Sequence, residues 1–152
     1  MPKVLFIEDD TTICRALTEA AQNAAWISEQ VPGNDIKRGR AVDLATANTK
    51  YDAIIVAGYF LEADIPYGHK VVEQIRKRKC TSIIVGTSGD PKREADFLKA
   101  GADAFVCRGS GVLNNPAGGF TKAAELFDQG FEAAKQTSNK KKENTKPTPD
   151  QT

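Results

Sequence analysis

Three carboxylates, Glu8-Asp9-Asp10, follow directly on the apolar run Val4-Leu5-Phe6-Ile7. Carboxylates this close repel one another unless a cation or a basic side chain joins them. An all-oxygen set of this type suits a hard divalent ion such as Mg2+. Complementary groups follow two other apolar runs. Ile83-Ile84-Val85-Gly86 leads into Thr87-Ser88, two hydroxyls able to hydrogen-bond an anionic ligand. Ala104-Phe105-Val106 leads into Cys107-Arg108. A guanidinium there can bridge the acidic cluster or grip a phosphoryl oxygen in bidentate fashion. A fourth run, Ala53-Ile54-Ile55-Val56, ends in Ala57-Gly58 and supplies no functional group. Each residue alone has a plain structural use. Asp10 favours the dipole of a following helix, Thr87 caps a turn, and Arg108 serves as a solvated surface residue. On one edge of one sheet, however, they read as a shared pocket.

The elements that must position these groups alternate. The apolar runs are strands buried on both faces, as in a parallel sheet. After the first comes a helix with Thr11 or Thr12 as N-cap and Ile13, Leu17, Ala21 and Ala24 on one face. A weaker strand near Trp26–Val31 ends at Pro32-Gly33. A second helix is expected from about Asp35 to Ala47, with Ile36, Ala41 and Leu44 inward and Gly39 as its weak point. A long polar loop runs from Gly58 to Tyr67. The third helix then carries Val71, Val72 and Ile75 and ends in Arg76-Lys77-Arg78-Lys79, which suits the negative end of its dipole. Asp90-Pro91 opens the fourth helix and Gly101 closes it. Phe120, Ala124, Phe127, Phe131 and Ala134 form the stripe of the fifth. Five strands each followed by a helix make a doubly wound α/β fold, for which the order 2-1-3-4-5 is the common solution. Its ligand edge lies outside the carboxyl ends of the strands, where the groups above fall.

Composition narrows the classes. The chain has 152 residues, 40% hydrophobic and 27% charged, with a formal net charge of +1. This is the balance of one soluble globular domain, not of a basic nucleic-acid binder. No apolar run reaches the ~20 residues of a membrane span, and the N-terminus lacks signal-peptide anatomy. Cys14, Cys80 and Cys107 are odd in number and widely spaced, so reduced thiols in the cytoplasm are expected, not a disulfide framework or a zinc site. His69 is the one histidine. It has no partner at a motif spacing and reads as a surface or cap residue. No glycine-rich nucleotide fingerprint follows the first strand. Residues 136–152 hold no apolar side chain except Pro147 and Pro149, with four lysines against Glu143 and Asp150. They read as a disordered basic tail on a domain spanning residues 1–135.

In several of these motifs the chain resembles the receiver domain of two-component response regulators, the fold of the chemotaxis receiver. The resemblance covers about Lys3 to Lys135. It is carried by Lys3-Val4-Leu5-Phe6-Ile7-Glu8-Asp9-Asp10, Tyr51-Asp52-Ala53-Ile54-Ile55-Val56, Gly68, Val71, Ile75 and Arg76. Ile83-Ile84-Val85-Gly86-Thr87-Ser88 and Lys99-Ala100-Gly101-Ala102-Asp103-Ala104-Phe105-Val106 complete it. The resemblance implies Mg2+ held by Glu8 and Asp9, and a histidine kinase that phosphorylates an Asp at the end of the third strand. It also implies a switch hydroxyl at Thr87, a phosphoryl contact from the position of Arg108, and a switch aromatic at Phe105. It implies dimers or targets on the face of the fourth helix, fifth strand and fifth helix.

The departures set the expected function. The acceptor position is Ala57, whose methyl accepts no phosphoryl group and removes one metal ligand, so Mg2+ binding is expected to weaken. Arg108 replaces the usual Lys, keeping the charge and changing its geometry. Asp52 lies at the strand's opposite end, Glu62 and Asp64 lie in a loop with no strand to fix them, and Asp10 lies near the site with its geometry open, so no substitute acceptor is expected. The expectation is a single-domain receiver-like protein that is not an enzyme, is phosphorylation-silent as written, and acts by protein–protein contact. It needs neither membrane nor nucleic acid; its partners are a histidine kinase or other signalling protein. One alternative is an ordinary phosphoaccepting receiver represented by an Asp-to-Ala form at position 57. Another is a small flavodoxin-like enzyme or ligand-binding domain.

Overall fold

The computed structural model describes residues 1–48, 50–109 and 114–131. The expected tail at 136–152, and Ala134 of the expected last stripe, lie outside these. Five parallel strands form one sheet in the order β2-β1-β3-β4-β5. They are β1 (Lys3–Ile7), β2 (Ile27–Gln30), β3 (Ala53–Ala57), β4 (Ile83–Ser88) and β5 (Ala104–Cys107). The helices are α1 (Thr11–Asn23), α2 (Gly33–Lys37), α3 (Ala41–Ala45), α4 (Gly68–Lys77), α5 (Glu94–Ala100) and α6 (Gly118–Asp128). The doubly wound fold read from the alternating pattern is therefore the observed one.

Every residue of β3 and β4 is buried, as expected of central strands covered on both faces. One face of the sheet packs Leu5, Ile54, Val56 and Ile84 with Val71, Val72, Ile75 and Phe97. The other packs Val4, Phe6, Ile55 and Val85 with Leu17, Ala21, Trp26, Phe120 and Ala123. Trp26 stands edge-on to Phe120, with centroids 5.3 Å apart, which ties the end of α1 to α6.

Several local expectations are corrected. The N-cap of α1 is Asp10, whose side chain accepts from the backbone N–H of Thr12 and Ile13. A carboxylate there also faces the positive helix end, which neither threonine does. Ala24 is exposed as the C-cap, and Cys14 takes an inward place. The second helix is broken into α2 and α3 at Gly39, which adopts a left-handed φ of +71°. The break rotates the face, so Val42 and Ala45 turn inward and Leu44 is 38% exposed. The loop from Gly58 to Tyr67 is not simply polar. Phe60 is fully buried, and Tyr59 and Tyr67 form an antiparallel bridge. The stripe on α6 is displaced as well: Ala123 is buried, whereas Phe127 is 36% exposed.

Candidate functional site

Strand register brings the candidate groups to one edge. Ile7 lies opposite Val56, Ala57 opposite Thr87, and Ser88 opposite Cys107. Glu8 and Arg108 are thus the next residues out along β1 and β5. The Arg108 N–H donates to the Ser88 carbonyl at 2.8 Å, which fixes where its side chain starts. Strands are spaced ~4.8 Å apart, so three steps place β1 and β5 about 14 Å from each other. The two side chains close that gap: Arg108 Nη1 donates to Glu8 Oε1 at 2.8 Å. This ion pair crosses the carboxyl ends of β3 and β4, where Ala57 and Thr87 sit. The sequence offered a bridge to the acidic cluster as one role for Arg108, and that is the role it takes.

Glu8 is 6% exposed. Its second oxygen, Oε2, accepts from the Asp10 N–H at 3.0 Å, so both carboxylate oxygens have donors. Burial pushes the Glu8 carboxyl above its ordinary range, with the Asp10 N–H and the Arg108 charge acting against that shift. The Glu8 carbonyl accepts from Cys14 Sγ at 3.2 Å. Burial first, and the charge of Glu8 second, push the Cys14 thiol up to about 11. A thiol raised this way stays protonated in the folded protein. Its contribution to stability is full below the ordinary thiol range and is lost as pH rises through about 11. Alkylation at pH 8 followed by peptide mass mapping is expected to modify exposed Cys107 first. Cys14 should react only when the protein is unfolded, because the thiolate is the nucleophile. Modification of Cys14 in the native protein at the rate of Cys107 would contradict this placement.

The remaining sequence candidates are distributed around this pair. Asp9 is exposed. Asp10 is occupied as the α1 cap, and Asp52 lies at the opposite end of β3, accepting from the Lys3 N–H. Thr87 is buried and faces α6: a Cβ added at Gly119 would fall 2.7 Å from its methyl. Ser88 Oγ accepts from the Asp90 N–H and shapes the turn after β4. Ala57 is 3% exposed and belongs to the cluster containing Phe60, Val71 and Phe97. Phe105 is half-buried against Phe97, with ring centroids 5.6 Å apart.

The donor set does not fit a divalent metal ion as arranged. One Glu8 oxygen is engaged by a guanidinium, whose positive charge repels a cation, and the other by a backbone N–H, and Ala57 offers only a methyl. A hard cation needs several free oxygens in near-octahedral array.

Sequence reasoning missed the aromatic wall beside the edge. His69 is half-buried, not a surface group, between the rings of Tyr67 at 5.8 Å and Phe97 at 6.4 Å. Arg93 lies over the Tyr67 ring at 5.2 Å, a cation–π distance. The signal was the Tyr59-Phe60 and Tyr67 spacing inside a loop read as polar. Among the described residues no helix is long and apolar enough to cross a membrane.

No family model matches the sequence, and no curated protein matches it. Solved structures do match in fold. The receiver domain of Francisella response regulator 1452 is 17% identical, with a TM-score of 0.65, covering 85% of this chain and 98% of that one. A CheY-like response regulator receiver domain protein from Methanospirillum hungatei JF-1 is 16% identical, with a TM-score of 0.63, covering 90% and 98%. A response regulator protein from Burkholderia pseudomallei, solved with a phosphorylated aspartic acid, a calcium ion and citrate, is 18% identical with a TM-score of 0.60. It covers 85% of this chain, which in turn covers 72% of it. At these identities the likeness establishes a receiver-type fold.

Proposed function

We propose that this chain is a receiver-like module of two-component signalling, silent to phosphorylation and acting by protein–protein contact in the cytoplasm. The observation that carries the reading is the place of Ala57. It ends the central strand β3, opposite buried Thr87 and one residue along from the Val56–Ile7 pair that precedes Glu8. The resemblance puts an acceptor carboxylate at that position, and a methyl cannot accept a phosphoryl group. Glu8, Thr87, Phe105 and Arg108 supply a receiver edge around it, and no step of its action runs through a metal ion. The same surroundings favour a second reading, an Asp-to-Ala form of a working receiver, because one substitution separates the two. The face formed by α5, β5 and α6 carries exposed Leu98 and half-buried Phe105. It is the surface proposed for a histidine kinase, another signalling protein or a second copy.

Incubation with acetyl phosphate and Mg2+, followed by intact-mass measurement, tests the reading. The protein as it stands should gain no phosphoryl mass. Ala57→Asp should gain one phosphoryl group, because the new carboxylate draws Arg108 from Glu8 and joins Glu8 and Asp9 as a third acid. An unmodified Ala57→Asp protein that is folded by circular dichroism would refute the second reading, and phosphoryl mass on the unaltered protein would refute the first.

A further inference from the structure

We infer that Arg108 is the resident cation of this edge: its guanidinium, in place of a divalent metal ion, balances Glu8 and holds the strand ends in a metal-independent arrangement. The inference rests on the reading above only for the expectation that such an edge otherwise holds metal.

Three observations carry it. The Glu8–Arg108 pair is close and largely withdrawn from solvent, at 2.8 Å with side chains 6% and 19% exposed. Both Glu8 oxygens have a donor, the second being the Asp10 N–H at 3.0 Å. A metal ion would therefore have to approach a carboxylate already neutralised by an adjacent guanidinium, against that positive charge. Ala57, at the end of the strand between β1 and β4, presents only a methyl packed in the hydrophobic cluster, so an arriving ion would gain no oxygen from it. Arginine suits the task because its charge is permanent and its planar fork is weakly hydrated. A bound ion exchanges with solution; a side chain anchored by the Arg108 N–H to Ser88 bond does not.

The test is a Mn2+ titration followed by electron paramagnetic resonance, with thermal melts of the full chain in chelator and in millimolar Mg2+. The unaltered protein is expected to melt at one temperature in both buffers and to show no saturable Mn2+ site at submillimolar concentrations. Arg108→Gln strips the charge and leaves Glu8 and Asp9 to a metal. Its melting temperature should rise with Mg2+, and it should bind Mn2+ at least tenfold more tightly than the parent. Arg108→Ala also strips the charge and should show the same gain of metal response, which keeps the test decisive where the Gln variant does not fold. A saturable submillimolar Mn2+ site in the unaltered protein, or a folded Arg108→Gln that gains no metal response, overturns the inference. No phosphoryl donor enters this test. Metal binding by the parent would leave the receiver reading standing, and an unphosphorylated Ala57→Asp would leave the resident cation standing.

Discussion

Replacing Gly68 with alanine is expected to destabilise the protein by about 3 kcal/mol or more, lowering its melting temperature by ~10 °C. A Cβ at this position would fall 1.8 Å from the Ala57 carbonyl oxygen and 3.0 Å from Phe97 Cζ. The first neighbour is backbone, at the end of a fully buried central strand, and has nowhere to go. The second belongs to a ring with no exposed surface. Gly68 N–H also donates to the Gly58 carbonyl at 3.0 Å, so moving α4 away to relieve the clash would break the loop closure as well. The control is Gly33→Ala in α2, where an added Cβ meets nothing within 4 Å and the helix gains propensity. It should melt at or slightly above the parent temperature. Equal melting of the parent and Gly68→Ala would show that α4 does not pack on the β3 end as described.

Arg76→Met should cost about 3–5 kcal/mol, the range for removing one partner of a buried ion pair. The sequence placed Arg76 in a basic run suited to a helix end, yet its guanidinium is an internal tie. Nε donates to the Gly101 carbonyl, Nη1 to the Cys80 and Ser82 carbonyls, and Nη2 to Asp103 Oδ2, all between 2.8 and 2.9 Å. Asp103 in turn accepts from the Ile84 N–H. One side chain therefore joins the end of α4, the start of β4, the end of α5 and the approach to β5. Methionine fills similar volume but leaves three carbonyls and a carboxylate without these donors. Arg76→Lys should recover less than half of the loss, because a single ammonium cannot reproduce the planar fork. Urea unfolding with an unchanged slope and a lowered midpoint is the expected readout. An Arg76→Lys protein as stable as the parent would show that charge alone suffices.

The contrast between Arg76 and the sheet explains what was readable in advance. Continuous apolar runs mark β1, β3 and β4 because buried parallel strands cannot alternate; the run that marks β5 lies at the sheet edge, where its residues are half-buried or exposed. The groups just beyond them are easily named, since a strand end has one direction. Gly101 shows its role because only a residue at ease with positive φ closes a helix as it does, at +112°. What stayed hidden depends on meetings distant in sequence. By charge pattern Arg76 looks like its neighbours Lys77, Arg78 and Lys79, and although the resemblance singles it out, its partners show only when β4 and the Gly101 turn arrive beside it. Phe60 looks like one apolar residue in a polar loop until the chain folds back, with Asp64 N–H donating to the Lys37 carbonyl at 2.8 Å. Extending one helical period across Gly39 puts Leu44 inward, and a left-handed residue resets that period. At the candidate site, the identity of the cation-bearing partner was legible. That Glu8 would also accept the Asp10 N–H was not, because that bond follows from backbone geometry at the α1 entrance.

The Glu8–Arg108 pair joins positions 100 residues apart, and Glu8 also receives the amide that leads into α1. The opening of the chain is thus completed by one of its last strands. During refolding, exchange protection at the Asp10 amide should appear late and together with that of β5, long after local turns of α1 have formed.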